Sequence, residues 1–155
     1  MYVYVVTAGR RHVKIGHSRN VESRVAGIQT GCPFTVKIAG HWSTPHAKEI
    51  ERRAHAILAK YRWAGEWFDV PSKVACKIVS VLSATWGLGE SVEKQIIFCR
   101  NCSHYAMTGF VSNLDAKFRC SQCNSRDHVH VIDFVSRPPP RRGAPTIAQM
   151  TGDMI

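Results

Sequence analysis

The chain has 155 residues, 45% of them hydrophobic, which allows one modest core with a small accessory module and excludes two full-sized domains. Its 21 Lys and Arg against 11 Asp and Glu give a formal charge of +10, typical of proteins that bind polyanions, first nucleic acid and second anionic membranes. No segment approaches the ~20 apolar residues of a membrane span, and the first residues lack the pattern of a signal peptide. We therefore expect a cytoplasmic protein whose six cysteines are reduced.

The segment up to residue 84 predicts one small α+β domain in the order β-β-α-β-α-α. Its strands are rich in β-branched and aromatic residues, and its helices show apolar residues at helical spacing. The predicted elements are two hairpin strands at 2–7 and 12–16 with Gly9 in the turn, a helix between Asn20 and Gly31, a strand at 34–42, a long helix that starts at Thr44-Pro45 and runs to Tyr61, and a helix from Val74 to Leu82.

The remainder of the chain divides by composition. Residues 85–95 contain two glycines and mixed charge, which is typical of a linker. Residues 96–134 hold two CxxC pairs and form a predicted zinc ribbon. Residues 135–155 are rich in proline and arginine with little to bury, so we expect a flexible basic tail.

The two CxxC pairs are Cys99 with Cys102 and Cys120 with Cys123, and 17 residues separate the pairs. This lies within the window of about 15 to 20 residues that is typical of a structural Zn²⁺ site with four sulfur ligands. Buried or redox-active cysteines are the alternative. Two further cysteines and three nearby histidines fall outside the pattern, and we interpret them as non-ligands: Cys32, Cys76, His104, His128 and His130.

Four basic residues surround the predicted ligand turns: Arg100, Lys117, Arg119 and Arg126. Their charge favours contacts with nucleic-acid phosphates, as in many zinc ribbons. A ribbon that caps the fold or binds another protein remains the alternative, because a run of charges is usually solvated surface.

Five short motifs occur in order through residues 1–83: Tyr2-Val3-Tyr4, Lys14-Ile15-Gly16, Arg24, Glu51, and Glu66-Trp67-Phe68. Their order and spacing resemble the GIY-YIG nuclease superfamily, in particular its phage-associated branch with KIG and EWF motifs. The resemblance implies a three-stranded antiparallel sheet with flanking helices, and a DNA endonuclease that depends on a divalent metal. It does not exclude RNA as the target.

The resemblance also implies roles for individual residues. Glu51 would bind one Mg²⁺ or Mn²⁺, since a carboxylate suits a hard cation. Arg24 would clamp phosphate. Tyr4 would position or deprotonate the attacking water, and Lys14 would neutralise phosphate or lower the tyrosine pKa, while Gly16 allows a close approach of strand to substrate.

Two histidines are further candidates beside these motifs. His17 follows the second triplet and is placed to shuttle a proton, and His55 lies one helical turn from Glu51. Each motif also has an ordinary structural explanation, such as strand tyrosines or a surface Glu–His pair on a helix. The alternative function is therefore a catalytically inactive DNA-binding or regulatory protein on the same fold.

Overall fold

A computed structural model of the protein describes residues 1–9, 11–86, 92–108, 119–125 and 128–136. We call residues 1–86 the amino-terminal unit and the described residues between 92 and 136 the cysteine module. The amino-terminal unit contains strands β1 (Tyr2–Ala8), β2 (His12–Ser18), β3 (Val36–Ser43), β4 (Arg62–Ala64) and β5 (Trp67–Asp69), helices α1 (Val21–Thr30), α2 (Ala47–Ile57) and α3 (Ser72–Trp86), and one 3₁₀ turn (Ala59–Tyr61).

The sheet of the amino-terminal unit has the strand order β3-β1-β2-β5-β4 within the described residues, and every neighbouring pair is antiparallel. The predicted three-stranded sheet is therefore wrong in strand number. The segment around Gly65, where no strand was predicted, forms a hairpin of two three-residue strands, and Gly65 has a φ of 52° at its tip. This hairpin lies beside β2, so it brings Glu66 to the sheet.

The predicted local signals for α1 are confirmed. The Asn20 side chain accepts a hydrogen bond from the Ser23 amide at 2.9 Å and caps the helix. The predicted start of α2 is wrong by two residues, because the helix begins at Ala47 and Thr44 bonds instead to the His46 amide. The helix also ends at Ile57, and Tyr61 lies in the 3₁₀ turn that follows.

The sheet is covered on both faces. Residues of β1 and β2 with odd numbers pack against α2 and α3, and they include the fully buried Val3, Val5 and Ile15. Residues of β1 with even numbers, such as Tyr4 and Val6, pack against α1. Because successive strand residues point to opposite faces, Tyr4 is buried under α1 while its neighbours belong to the larger core.

The cysteine module is a second antiparallel sheet with the order β7-β6-β8, formed by β6 (Val92–Cys99), β7 (Tyr105–Thr108) and β8 (Val129–Ser136). Helix α3 and strand β6 both extend into the predicted linker, which leaves only residues 87–91 outside the described elements there. The first two residues of the predicted tail belong to β8. The rest of the tail, residues 137–155, lies outside the described residues.

One hydrophobic core runs through both regions. Four buried side chains of the cysteine module belong to the same cluster as the core residues of α2 and α3: Ile96, Phe98, Ile132 and Phe134. Burying a side chain of this size contributes about 1.5–3 kcal/mol. The two sheets therefore stabilise each other, although the division of the chain into separate domains stays a prediction.

Polar contacts reinforce the interface between the two regions. The Lys60 ammonium and the Tyr61 hydroxyl both donate to the carbonyl oxygen of Val131, at 2.6 and 3.2 Å. Burial raises the pKa of Tyr61 to about 12, so its hydroxyl keeps the proton that it donates. Arg100 of the module also forms an ion pair with Asp69 of β5.

Candidate active site and cysteine cluster

A cleft of about 580 Å³ opens beside the carboxyl end of β2 and the first two turns of α2. Its lining contains three carboxylates, two cations and two imidazoles: Glu49, Glu51, Glu66, Lys48, Arg52, His17 and His55. The α2 residues among them recur every three or four positions because that face of the helix looks away from Ile50 and Ala54, which are fully buried. Helical periodicity thus gives α2 one face that is buried in the core and another that lines the cleft.

Glu51 is held at the edge of this cleft. Its side chain is 14% exposed, and one carboxylate oxygen accepts a hydrogen bond from Nδ1 of His17 on β2. Within the described residues, its other oxygen has no protein partner and no arginine pairs with the carboxylate. This arrangement leaves one oxygen of a well-anchored carboxylate for a ligand from solvent.

His55 lies one turn further along α2, and β2 orients its ring. Its Nε2 donates to the backbone carbonyl of Ile15 at 3.0 Å, which fixes the proton on that nitrogen, and the ring packs 5.1 Å from that of Phe68. The contacts of His55 therefore join the helix to the sheet behind the cleft, and its predicted catalytic role stays a prediction.

Tyr4 and Arg24 meet on the α1 side of the sheet. Burial raises the pKa of the Tyr4 phenol, and a hydrogen bond and the positive charge of Arg24 partly offset this. At neutral pH the hydroxyl is therefore protonated. Glu51 and Glu66 also act on this hydroxyl electrostatically, so the tyrosine stands near both carboxylates.

Gly16 makes room for Tyr4. A Cβ atom at position 16 would lie 2.3 Å from the Tyr4 hydroxyl oxygen and 2.5 Å from the ring carbon that bears it. The predicted close approach at this glycine therefore has a different partner, since the tyrosine and not a substrate fills the space above it. Strands β1 and β2 place the two residues directly opposite each other.

Lys14 and Glu66 form an ion pair at the start of β5. The lysine side chain is 11% exposed and the glutamate side chain 50% exposed. The hydrogen bond from Lys14 lowers the pKa of Glu66. Lys14 is thus held in an ion pair with Glu66, which suits a role in stabilising negative charge better than a role as a free base.

Sequence reasoning missed four lining residues of the cleft: Lys48, Glu49, Arg52 and Glu66. Three of them follow from the helical spacing around Glu51, which would have identified the cleft face of α2. Glu66 stood in the EWF motif, but its partner Lys14 is 52 positions away in the chain and only the pairing of β2 with β5 joins them.

The four cysteines form one cluster. Their sulfur atoms all lie within 4.8 Å of one another, with Cys102 and Cys120 at 3.4 Å and Cys99 and Cys123 at 3.6 Å. Four sulfurs at Zn–S distances of about 2.3 Å in a tetrahedron are about 3.8 Å apart. The donor set and its spacing therefore fit a structural zinc ion.

The surroundings of the cluster act unequally on its thiols. Against a lowering hydrogen bond from the His104 backbone, burial and hydrogen bonds to the other three cysteines raise the pKa of Cys102 to about 12, whereas the pKa of Cys120 is lowered. The Ser125 amide and the Asn101 side chain lower the pKa of Cys123 to about 6. Among the described residues the only group of three or more metal-binding side chains is this cysteine cluster, and the interpretation of the three histidines as non-ligands stays a prediction. His130 packs its ring 5.4 Å from Phe98 in the interface.

The predicted phosphate-binding residues of the module lie in different places. Arg100 is half-buried in the interface, and Asp69 neutralises its charge. Arg119 is exposed and donates to the Asn124 side chain at 3.1 Å, beside the Cys120 turn. Lys117 and Arg126 lie outside the described residues.

The structure is that of an α+β protein with two features: a cleft beside the sheet that is lined by both acidic and basic side chains, and a four-cysteine cluster that fits a metal ion. Residues 1–83 match the model of the T5orf172 domain, and because this is more than half of the chain, the protein belongs to this phage-associated, nuclease-like family. No curated protein and no solved structure matches the chain. In the part of the chain that the structure describes, none of the helices has the length and apolar character to cross a membrane.

Proposed function

We propose that this protein is a divalent-metal-dependent DNA endonuclease of the GIY-YIG type, which hydrolyses phosphodiester bonds in the cleft of the amino-terminal unit. The family supports a nuclease or DNA-binding role in general terms. The observation that carries the finer proposal is the position of Glu51, a carboxylate with one anchored oxygen and one open oxygen in a cleft with the cations Lys48 and Arg52.

The open oxygen of Glu51 fits a Mg²⁺ or Mn²⁺ ion that keeps most of its water ligands, because a single carboxylate is a common protein share of such a site. A bound ion of this type stabilises negative charge on the phosphate oxygens. The carboxylate is oriented by His17, so the position of the ion would depend on β2 as well as on α2.

The remaining groups suit the other tasks of hydrolysis. Arg24 binds a phosphate oxygen through its planar guanidinium, and the protonated Tyr4 hydroxyl orients the attacking water. His17 directs Nδ1 to Glu51, which leaves Nε2 to accept the proton of that water as its oxygen bonds to phosphorus. The bond from phosphorus to the 3′ oxygen breaks, and that oxygen takes up a proton from solvent water. Lys14 contributes positive charge near the phosphate.

The cysteine module and the basic tail are proposed to aid DNA binding, with Arg119, Lys117 and Arg126 as phosphate contacts. A tethered second binding surface raises the effective concentration of DNA at a small catalytic unit. The shared core supports the other role as well, in which the module caps the fold. A reduced four-cysteine site also fits the proposed cytoplasmic location.

Cleavage of plasmid and single-stranded DNA with Mg²⁺ or Mn²⁺ tests the proposal. We expect Glu51→Gln to lower the cleavage rate by at least about 100-fold. Glu51 is both the proposed ligand of the ion and the partner of His17, and glutamine removes its charge. Glu49→Gln is the matched control, because it removes an exposed carboxylate from the same cleft and should keep most of the activity.

A second candidate function is a non-cleaving DNA-binding protein. This function is favoured because Lys14 is already paired with Glu66 and Glu51 is already bonded to His17. DNA binding without cleavage at any metal concentration, in both the natural protein and the Glu51→Gln variant, would establish this second function and end the first.

A further inference from the structure

An aromatic groove lies on the α1 face of the sheet, away from the cleft that holds Glu51. It has a volume of about 240 Å³, and its lining includes the rings of His12, Phe34, Trp63 and Trp67. Two of the few large hydrophobic side chains that are exposed in the described part of the chain border it, Trp63 at 60% and Phe34 at 52%. Exposed rings that converge on one groove mark a binding surface more often than chance exposure.

Trp63 is a ring of this groove that already takes part in a stacked pair. Its indole stacks on the His12 imidazole, with ring centres 4.1 Å apart and an angle of 26° between the planes. The indole belongs to the edge strand β4, and its exposed fraction leaves contact area for a further flat ring. Stacking on an aromatic side chain is the usual way in which proteins hold an unpaired base.

A cationic cleft adjoins this groove, and Trp63 borders both. It is lined by Lys60, Arg62 and Arg100 among others and has a volume of about 400 Å³. Lys60 donates to the Val131 carbonyl and Arg62 to the Gly65 carbonyl, and in the described ranges neither side chain forms an ion pair. Backbone acceptors do not cancel charge, so two net positive charges stand beside the exposed indole.

We propose that the aromatic groove and the cationic cleft together bind single-stranded nucleic acid, with bases stacked against Trp63 and phosphates at Lys60 and Arg62. A duplex hides its base faces in its own stack, so only an unpaired strand can use both halves of this surface. The proposal goes beyond hydrolysis, because it assigns a second surface on the amino-terminal unit and holds whether or not the cleft cleaves DNA.

Two other occupants are possible for an exposed groove: the chain's own residues 137–155 and a second copy of the protein. The tail is rich in arginine and proline, so Lys60 and Arg62 disfavour its docking by charge repulsion. The same positive charges oppose the meeting of two copies at this surface. A polyanion with flat rings is the ligand that complements both features.

Fluorescence anisotropy with the full-length zinc-loaded protein tests this, with labelled single-stranded DNA, the same sequence as RNA, and a DNA duplex, and without added Mg²⁺ or Mn²⁺. We expect Trp63→Ala to weaken single-strand binding at least about fivefold, while Trp63→Phe stays within about twofold and duplex binding changes little. The DNA and RNA arms identify which strand is bound. Because the assay contains no Mg²⁺ or Mn²⁺, cleavage does not contribute to the binding signal, which separates this result from the test of cleavage.

The phosphate half of the proposal has its own control. Lys60→Ala should weaken single-strand binding and reduce its salt dependence, whereas Lys37→Ala removes an exposed lysine on β3 and should not. Equal binding by Trp63→Ala and the natural protein would overturn the proposal. Protection of Trp63 from acrylamide quenching without oligonucleotide, or self-association that Trp63→Ala abolishes, would also overturn it, because the groove would then belong to the tail or to a second copy.

Discussion

In the amino-terminal unit, helices cover both faces of a five-stranded sheet, whereas in the cysteine module a three-stranded sheet has no helix of its own among the described residues. The module compensates in two ways. Its four cysteines fit a zinc ion, and its Phe98 and Phe134 side chains enter the core of the neighbouring unit. The module is too small to form a separate hydrophobic core, and its apolar side chains are buried in the core of the amino-terminal unit instead.

Removal of zinc is expected to have the largest effect on this comparison. Chelation should unfold the module, and because its apolar strip belongs to the shared core, it should also lower the melting temperature of the amino-terminal unit by at least ~10 °C, at about 2–4 °C per kcal/mol. Circular dichroism and the NMR signals of β1 and β2 measure this. Cys123→Ser should act similarly, and Cys76→Ser is the control. An unchanged amino-terminal unit after chelation contradicts a shared core.

Phe134→Ala breaks the interface and leaves the sulfur cluster in place. Loss of a fully buried phenylalanine should lower the free energy of unfolding by about 3–5 kcal/mol, with about one zinc ion per chain still bound. Urea unfolding and zinc analysis test both parts. Phe34→Ala, at an exposed ring, should change stability by less than about 0.5 kcal/mol. Similar values for the two variants would place the interface outside the cooperative core.

Gly16→Ala tests how close packing positions Tyr4, the proposed catalytic tyrosine, in contrast to the cysteine cluster, whose geometry fits a metal ion. The added methyl would overlap the buried Tyr4 ring, so we expect a loss of about 1–3 kcal/mol and of cleavage activity. Gly27→Ala is the matched control, because no atom lies within 4 Å of its added carbon and alanine should stabilise α1 by about 0.5–1 kcal/mol. Equal thermal stability of both variants would mean that Tyr4 can move aside.

The smallest expected effect concerns the ion pair of Lys14 and Glu66. Lys14 lowers the pKa of Glu66 below its ordinary value of 4.5, so the pair stabilises the fold above pH 4.5 and this contribution is lost as pH falls through the folded-state pKa. Since Glu66 is half-exposed, the contribution should stay below about 1 kcal/mol.

Urea unfolding between pH 3 and pH 7 measures this contribution. Lys14→Met should flatten the profile in the acidic range relative to the natural protein, and Lys37→Met should not. An acidic profile that keeps its slope in Lys14→Met would show that other carboxylates cause it.

Local signals in the sequence identified most elements of the fold. Asn20 marks the start of α1, and Gly9, with a φ of 64°, marks the turn of the first hairpin, because capping and left-handed turns depend on one or two neighbouring residues. The β4-β5 hairpin was not predicted. Its strands have three residues each, too few for alternation to be visible, and they are stabilised by pairing with β2.

The chemistry of the cysteine site was determined by the sequence itself, since each CxxC turn brings its two sulfurs together locally. The family motifs likewise named Tyr4, Lys14, Arg24 and Glu51 as candidates. Only the tertiary structure decided which residues these candidates contact: Glu51 pairs with His17, and Lys14 pairs with Glu66. It also decided that Phe134 packs in the core of the other region. Those contacts join residues far apart in the chain, and their energies depend on packing and solvent exclusion that no short stretch of sequence contains.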